Sequence, residues 1–525
     1  MTRFARPEVM AGHGLWSLVL LIMLLALTGC ARLPSLDGRT DTVALPPEYA
    51  RTSTMGKIVT PLAEAHPGKS GIHALADARE AFAARMLLAD AAEHTLDIQY
   101  YIWHADITGT LLFEALHRAA DRGVRVRLLL DDNNTVGLDE ILSALDAHPN
   151  IEVRLFNPFV LRWPRALGFI TDFSRANRRM HNKSFTVDNQ VTVVGGRNVG
   201  DEYFGATDGP LFADLDVLAI GAVVNDVSVD FDRYWASRSS YPVDRILPDK
   251  SVPDLQALTA SASRMEHTRK ADIYIRALKQ SELVTQLRND NLPFEWADTR
   301  MVSDDPAKGL GEAAPEGLLM GQLSEIIGTP AASLELVSPY FVPTAAGVEA
   351  FAALAGSGVQ IRVLTNSLEA TDVSAVHAGY AKRRRDLLSA GIQLYEMRAT
   401  AGGVERNKSA GPFGSSGSSL HAKTFAVDQQ RVFVGSFNFD PRSANLNTEL
   451  GFVIESPALA QAVDHVFETR VPEGAYQVKL DESGELYWLE KSAEGERVYH
   501  KEPGVGLVKR WGVWLLSWLP IEWLL

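Results

Sequence analysis

Two stretches of the chain carry the same reactive residues at the same intervals. One runs from His181 to Asn198, HNKSFTVDNQVTVVGGRN, and the other from His421 to Asn438, HAKTFAVDQQRVFVGSFN. The offset is 240 residues throughout, so His181, Lys183, Asp188, Gly195 and Asn198 coincide with His421, Lys423, Asp428, Gly435 and Asn438. His and Lys two apart on a strand share a face. Each stretch therefore sets an imidazole beside a fixed cation, with an amide 17 positions after the histidine. Brought together, two such sets hold donors for the non-bridging oxygens of a phosphodiester. One imidazole can attack phosphorus while the other protonates the leaving oxygen. The lysines carry the compensating charge, so the scheme needs no metal and no cofactor.

The remaining polar positions have narrower roles. Asp188 and Asp428 complete the motifs, but they follow their lysines by five residues, on the opposite pleat, and read as turn or packing anchors rather than proton donors. A histidine nucleophile also needs an acceptor for its other ring nitrogen. Glu449 is the candidate in the second half and Asp214 its register partner in the first, with Asp216 as runner-up. Ser436 can add a hydroxyl to the site where the first half has Gly196.

The elements that must position these residues also occur twice. In the first copy a helix is expected over Ala74–Ala92, then a strand over Leu96–Trp103, a helix over Gly109–Arg122 and a strand over Val124–Leu130. Another helix, Leu138–Ala147, and another strand, Ile151–Phe156, follow. Leu334–Phe341, Ala346–Ala355, Val359–Leu364, Arg383–Ala390 and Ile392–Tyr395 repeat the order. Strands alternating with helices predict an α/β fold with largely parallel strands. A period near 240 residues means a duplicated domain rather than a solenoid. The division expected is a leader over 1–29, a linker over 30–72, one catalytic unit over 73–245, a helix-like connector over 246–330, a second unit over 331–475 and a tail over 476–525.

Composition fits this plan. The chain has 525 residues, 46% of them hydrophobic and 22% charged, which excludes wholesale disorder. Its only cysteine, Cys30, excludes an intrachain disulfide or a multi-cysteine metal site. A net charge of −14 argues against broad nucleic-acid binding.

The paired motifs resemble those of the phospholipase D superfamily. Tyr100–Trp103, Leu129–Asn133, Asn177–Met180, Asp201–Phe204, Thr365–Ser367, Asp372 with Val376–Tyr380, and Asp440–Ser443 are similar to its cardiolipin synthase branch, the bacterial C type in particular. The resemblance covers about residues 75–525. It implies two tandem α/β/α sandwiches related by a pseudo-two-fold axis, with one active site between them. It also implies two-step phosphatidyl transfer through a phosphohistidine. His181 is assigned as nucleophile and His421 as acid/base, in an almost exchangeable pair. Lys183, Lys423, Asn198 and Asn438 bind the phosphoryl oxygens, and Asp214 and Glu449 orient the histidines. Phosphatidylglycerol is the implied acceptor, and phosphatidylethanolamine is an open choice of donor, as is a helper protein. A hydrolytic phosphodiesterase and a non-catalytic lipid-binding envelope lipoprotein stand as alternatives.

Both ends point to a membrane. Arg3 and Arg6 precede the apolar run Leu15–Leu27, which ends in Leu27-Thr28-Gly29-Cys30 and looks like a bacterial lipobox with Cys30 as the lipidated residue. The implied location is the cell envelope, facing the periplasm. Ala31 lacks the acidic character of an inner-membrane retention signal and leans the choice of membrane towards the outer one. Near the other end, Trp511, Trp514, Leu515, Trp518 and Leu519 fall on one helix face beside Lys509 and Arg510. That face suits a membrane interface or the protein's own core. Arg162, Trp163, Arg165, Phe169, Phe173, Arg175, Arg178 and Arg179 either meet lipid headgroups, frame the cleft or form a solvated loop. The Gly/Ser-rich stretch 401–419 reads as a lid or a plain linker, and His377 with Asp372 as a polar pair near the cleft or a capped helix.

Overall fold

The computed structural model describes residues 33–207, 212–247, 255–289, 291–399, 419–492 and 495–525. The leader with Cys30 and nearly all of the Gly/Ser-rich stretch fall outside these residues.

Twenty strands are described: β1 Ser70–Leu75, β2 Thr95–Tyr100, β3 Arg125–Asp131, β4 Ile151–Phe156, β5 Ser184–Val187, β6 Val191–Gly195, β7 Phe212–Ala213, β8 Asp216–Gly221, β9 Ser240–Pro242, β10 Glu295–Ser303, β11 Ser333–Val337, β12 Gln360–Asn366, β13 Gln393–Met397, β14 Ser419–Leu420, β15 Thr424–Val427, β16 Arg431–Gly435, β17 Leu450–Glu455, β18 Ala475–Leu480, β19 Leu486–Ser492 and β20 Gly495–Tyr499. The first half orders them β9-β4-β3-β2-β5-β6-β8-β1. The second half repeats the pattern as β18-β13-β12-β11-β15-β16-β17, with β19 and β20 added outside β18. Within each half the three strands that alternate with helices are parallel, and the hairpin that follows each His–Lys pair is antiparallel. Strands covered on both faces need continuous apolar runs, and Val126, Leu128, Leu129 and Leu130 of β3 are buried accordingly.

Four expectations change here. The sheet expected to be largely parallel is mixed, because only β2–β3–β4 and β11–β12–β13, joined by helices, pair in parallel within it, while the strands around them pair antiparallel. Helix 74–92 begins instead at Ala78, because the Asp77 carboxylate caps it by accepting the Arg79 and Glu80 amides. Ala74 and Leu75 belong to β1, paired with β8. The segment read as a linker is folded onto the first half. The carbonyls of Thr40 and Thr42 accept from the buried Arg154 and Arg127 at 2.7 Å each, and Thr54–Glu64 is a helix capped by Ser53. The connector contains helices, as read, but also β10. Its sequence, EWADTRMVS, buries only Ala297, Val302 and Ser303. So sparse an apolar pattern hid the strand. Glu295–Ala297 pairs with β1, and Asp298–Ser303 pairs with β17. One strand thus joins the two half-sheets.

The motif aspartates are backbone clamps. Asp188 is fully buried and accepts the amides of Glu93, His94 and Thr95 at 2.8–3.0 Å, fixing the entry to β2. Asp428 does the same for Ala331, Ala332 and Ser333 before β11. Both adopt positive φ at the tip of a hairpin. Buried donors left without acceptors cost about 1–3 kcal/mol each. Asp188→Ala is therefore expected to cost at least about 3 kcal/mol in denaturant unfolding, and the partly exposed Asp428→Ala less. Each should keep measurable turnover below its unfolding range.

Candidate active site

The two motifs meet where the halves cross. The His181 amide donates to the Thr448 carbonyl at 2.9 Å, and the His421 amide donates to the Ala213 carbonyl at 2.8 Å. Short β7 and β14 add a parallel pairing, Phe212 with Ser419 and Ala213 with Leu420. Each histidine is therefore stitched, through its own backbone, to the segment of the opposite half that carries an acid.

The acids are exchanged accordingly. His181 Nδ1 lies 2.8 Å from Glu449 Oε2, and His421 Nδ1 lies 2.6 Å from Asp214 Oδ2. The register of the two halves points to these two acids without saying which histidine each one serves. The structure crosses them, because His181 and Thr448 are hydrogen-bonded neighbours and so are His421 and Ala213. Asp216, the runner-up, binds buried Arg85 at 2.8 Å and the Arg197 amide at 3.1 Å, away from both imidazoles.

Glycine and serine mark the asymmetry. A Cβ on Gly196 would stand 2.1 Å from Asp214 Oδ1, so a side chain there collides with the carboxylate. In the second half Ser436 donates its hydroxyl to Glu449 Oε2 at 2.5 Å. The lysines lie inward. Lys183 and Lys423 are buried, and Lys423 Nζ is 3.2 Å from His421 Nε2. Asn198 Oδ1 accepts the Ile102 amide at 3.2 Å, and its Nδ2 has no hydrogen-bond partner among the described residues. In Asn438 the atom in that condition is Oδ1, and a half turn of the amide would present a donor instead.

Burial, and then the neighbouring charges, set the proton affinities of the site. Burial, and then the Lys183 and Lys423 charges, hold His181 well below the usual histidine range. Burial and Lys423 lower His421 to about 4, against the pull of Asp214. Burial alone would raise Asp214, but His421 and Lys423 bring it down to about 2. Burial pushes Glu449 up to about 7, against the pull of Lys183. Burial lowers Lys423 to about 8, and burial with the Lys423 charge takes Lys183 well down. Neutral imidazoles whose Nδ1–H is held by a carboxylate expose the Nε2 lone pair to a substrate.

Sequence reasoning assigned no role to several residues here. Tyr101 packs edge-on to His181 at 4.9 Å, and Tyr203 to His421 at 5.1 Å. Both belong to the segments that carry the family resemblance. Asp304 and Lys308 had no signal at all. They form a buried pair at 2.9 Å, and Asp304 accepts the Glu449 amide at 2.9 Å. Arginines before the first motif are held by internal bonds: Arg162 and Arg165 to Asp132 and Asp139, Arg179 to Asp131, and Arg178 to the Asn445 carbonyl. His377 and Asp372 do not pair. His377 faces Glu502 at 3.2 Å, and Asp372 accepts from the Tyr340 hydroxyl at 2.8 Å.

Two His–Lys sets on a duplicated α/β unit, crossed over one cleft, define a phospholipase D-type enzyme. The chain belongs to the cardiolipin synthase family: the family model described as "Cardiolipin synthase, PLD-like domain" matches residues 87–235 and again 323–471. It is 53% identical to Cardiolipin synthase C of Escherichia coli over 473 residues, 90% of this chain and 99% of that one. An uncharacterized Helicobacter pylori protein is 31% identical over 78% of this chain and 81% of its own. The crystal structure of phosphatidylserine synthase from Haemophilus influenzae shares the fold, with a TM-score of 0.55 at 12% identity over 89% of this chain and all of that one.

The carboxylates generate a prediction with a sign. Glu449 must be ionised to accept the His181 Nδ1–H, and the histidine that acts as acid must carry a proton, so kcat/KM should be bell-shaped with pH, one limb being set by Glu449 at about 7. Glu449→Gln should lose that limb and fall by about 10²-fold or more in kcat. Asp214→Asn should fall as far, yet keep the limb, because Asp214 is already ionised at pH 5. A pH–rate series on the three proteins checks this.

Proposed function

We propose that the enzyme transfers a phosphatidyl group onto a free hydroxyl of phosphatidylglycerol, through a phosphohistidine, in the manner of a cardiolipin synthase. The crossed His–carboxylate pairs beside two buried lysines carry this reading. In the first step Nε2 of His181 attacks phosphorus, and the bond to the headgroup alcohol breaks as His421 protonates its oxygen. In the second step His421 takes the proton of the acceptor hydroxyl, whose oxygen attacks phosphorus and releases His181. The net products are cardiolipin and the donor's headgroup alcohol.

The unequal acids support this division of labour. An ionised Asp214 stabilises the imidazolium that His421 forms as general acid. The phosphodiester's own negative charge opposes the lysine charges that hold His421 down in the free site. Glu449, shared with the Ser436 hydroxyl, holds His181 in the tautomer a nucleophile needs. On this reading Lys183, Lys423, Asn198 and Asn438 bind the phosphoryl oxygens, which the burial of both lysines supports. No described helix is long and apolar enough to cross a membrane. The lipobox ending in Cys30 supports attachment to the envelope, facing the periplasm, through a lipid on that residue.

Purified protein in mixed micelles with phosphatidylglycerol, with and without phosphatidylethanolamine, should yield cardiolipin by mass spectrometry. Phosphatidic acid as the only product would refute transfer in favour of hydrolysis. His181→Ala and His421→Ala should each lower turnover by at least about 10³-fold; full activity in either would refute the shared site. EDTA should leave the rate unchanged.

A further inference from the structure

The last long helix, Leu507–Ser517, is covered on one side only. Val513 is buried against Leu368 and Ala378, while Trp511, Trp514 and Trp518 face away, with 64, 54 and 72% of their surface exposed. Single exposed apolar side chains are ordinary, but three tryptophans within two turns form a patch that asks for a partner. Lys509 and Arg510 lie beside them, and no acid occurs between Glu502 and Glu522.

This helix is tied to the rim of the active site. It packs on the helix Ser374–Ala381. That helix follows Asp372, which holds the Tyr340 hydroxyl and contributes to the field on Lys423. Beyond the helix, the Leu524 and Leu525 carbonyls accept from the side chain and amide of Arg442. Arg442 also grips Asn177 Oδ1 at 2.6 Å. Asn177 closes the segment that exposes 85% of Trp163 and 79% of Ile170. Two apolar patches therefore flank a single strut, only a few residues from Asn438 and Glu449.

We propose that the Leu507–Ser517 helix lies in the headgroup layer of a bilayer and, together with the Trp163–Ile170 segment, sets the cleft mouth against the lipid surface. Tryptophans beside Lys and Arg, with no acid among them, match an interfacial helix. A second copy of a chain of net charge −14 is the poorer occupant, because the two copies repel. Insertion is driven by the aromatic rings and only assisted by the basic residues. The functional part of the proposal, that surface docking feeds the cleft, rests on the reading that the substrate is a bilayer lipid.

The test compares the full chain with a Trp511→Ser, Trp514→Ser, Trp518→Ser variant. In vesicles of phosphatidylcholine with brominated acyl chains, wild-type tryptophan fluorescence should be quenched, and the quenched fraction should fall in the variant. This readout needs no catalysis, so it separates failure of the docking proposal from failure of the functional reading. Turnover of vesicle phosphatidylglycerol should drop at least fivefold, while turnover of monomeric dihexanoyl phosphatidylglycerol stays within twofold. An unchanged quenched fraction would overturn the proposal. So would equal losses on both substrates, which mark a structural role. A lipid-free dimer that the triple variant converts to monomer would also overturn it, by assigning the face to a second copy.

Discussion

Everything at the active site depends on one exchange: each histidine takes its acid from the other half. The exchange is not made by side chains reaching across a gap. It starts in the backbone, where the His181 amide meets Thr448 and the His421 amide meets Ala213. The residue after each accepting carbonyl, Glu449 or Asp214, then brings its carboxylate under the imidazole. Because main-chain bonds fix the register, the side-chain bonds are held at 2.8 and 2.6 Å without long, entropically costly reach. The shared strand β10 and the β7–β14 pairing hold the same register from either side.

The second constraint is electrostatic. Burial first, and then the charges of two mutually repelling lysines, suppress protonation of both histidines. Two buried acids make that tolerable, but unequally. Asp214 gives up its proton readily, whereas Glu449 sits near neutrality and shares an oxygen with Ser436. Gly196, whose Cβ would strike Asp214, cannot make the equivalent contact. The pseudo-symmetry of the fold thus ends at the level of proton affinity.

Much of this was legible in the sequence. The 240-residue offset displayed the duplication, and the interval from His to Lys fixed a common face. The acids Glu449 and Asp214 were legible too, but their exchange was not, because a strand's pattern says which face it buries and not which neighbour it meets. β10 was missed for a related reason. It is buried at few positions, since its function is to join two sheets rather than to fill a core. Residues 30–72 read as a linker because the backbone of their folded part is satisfied by arginines far along the chain, Arg127 and Arg154. Asp304 and Lys308 were invisible as a pair, since an acid and a lysine four residues apart carry nothing in their spacing that marks burial. Their burial comes from the contact with Glu449 and Ser443.

The crossed acids also say what a single copy of the unit would be worth. One half holds a histidine without its carboxylate and a carboxylate without its histidine, so alone it could not complete even half of the chemistry. Two identical copies could, by lending each other the missing acid across a two-fold axis. Joining them in one chain removes the concentration dependence of that loan. It also lets each lender differ from the other, as Gly196 and Asp214 on one side differ from Ser436 and Glu449 on the other.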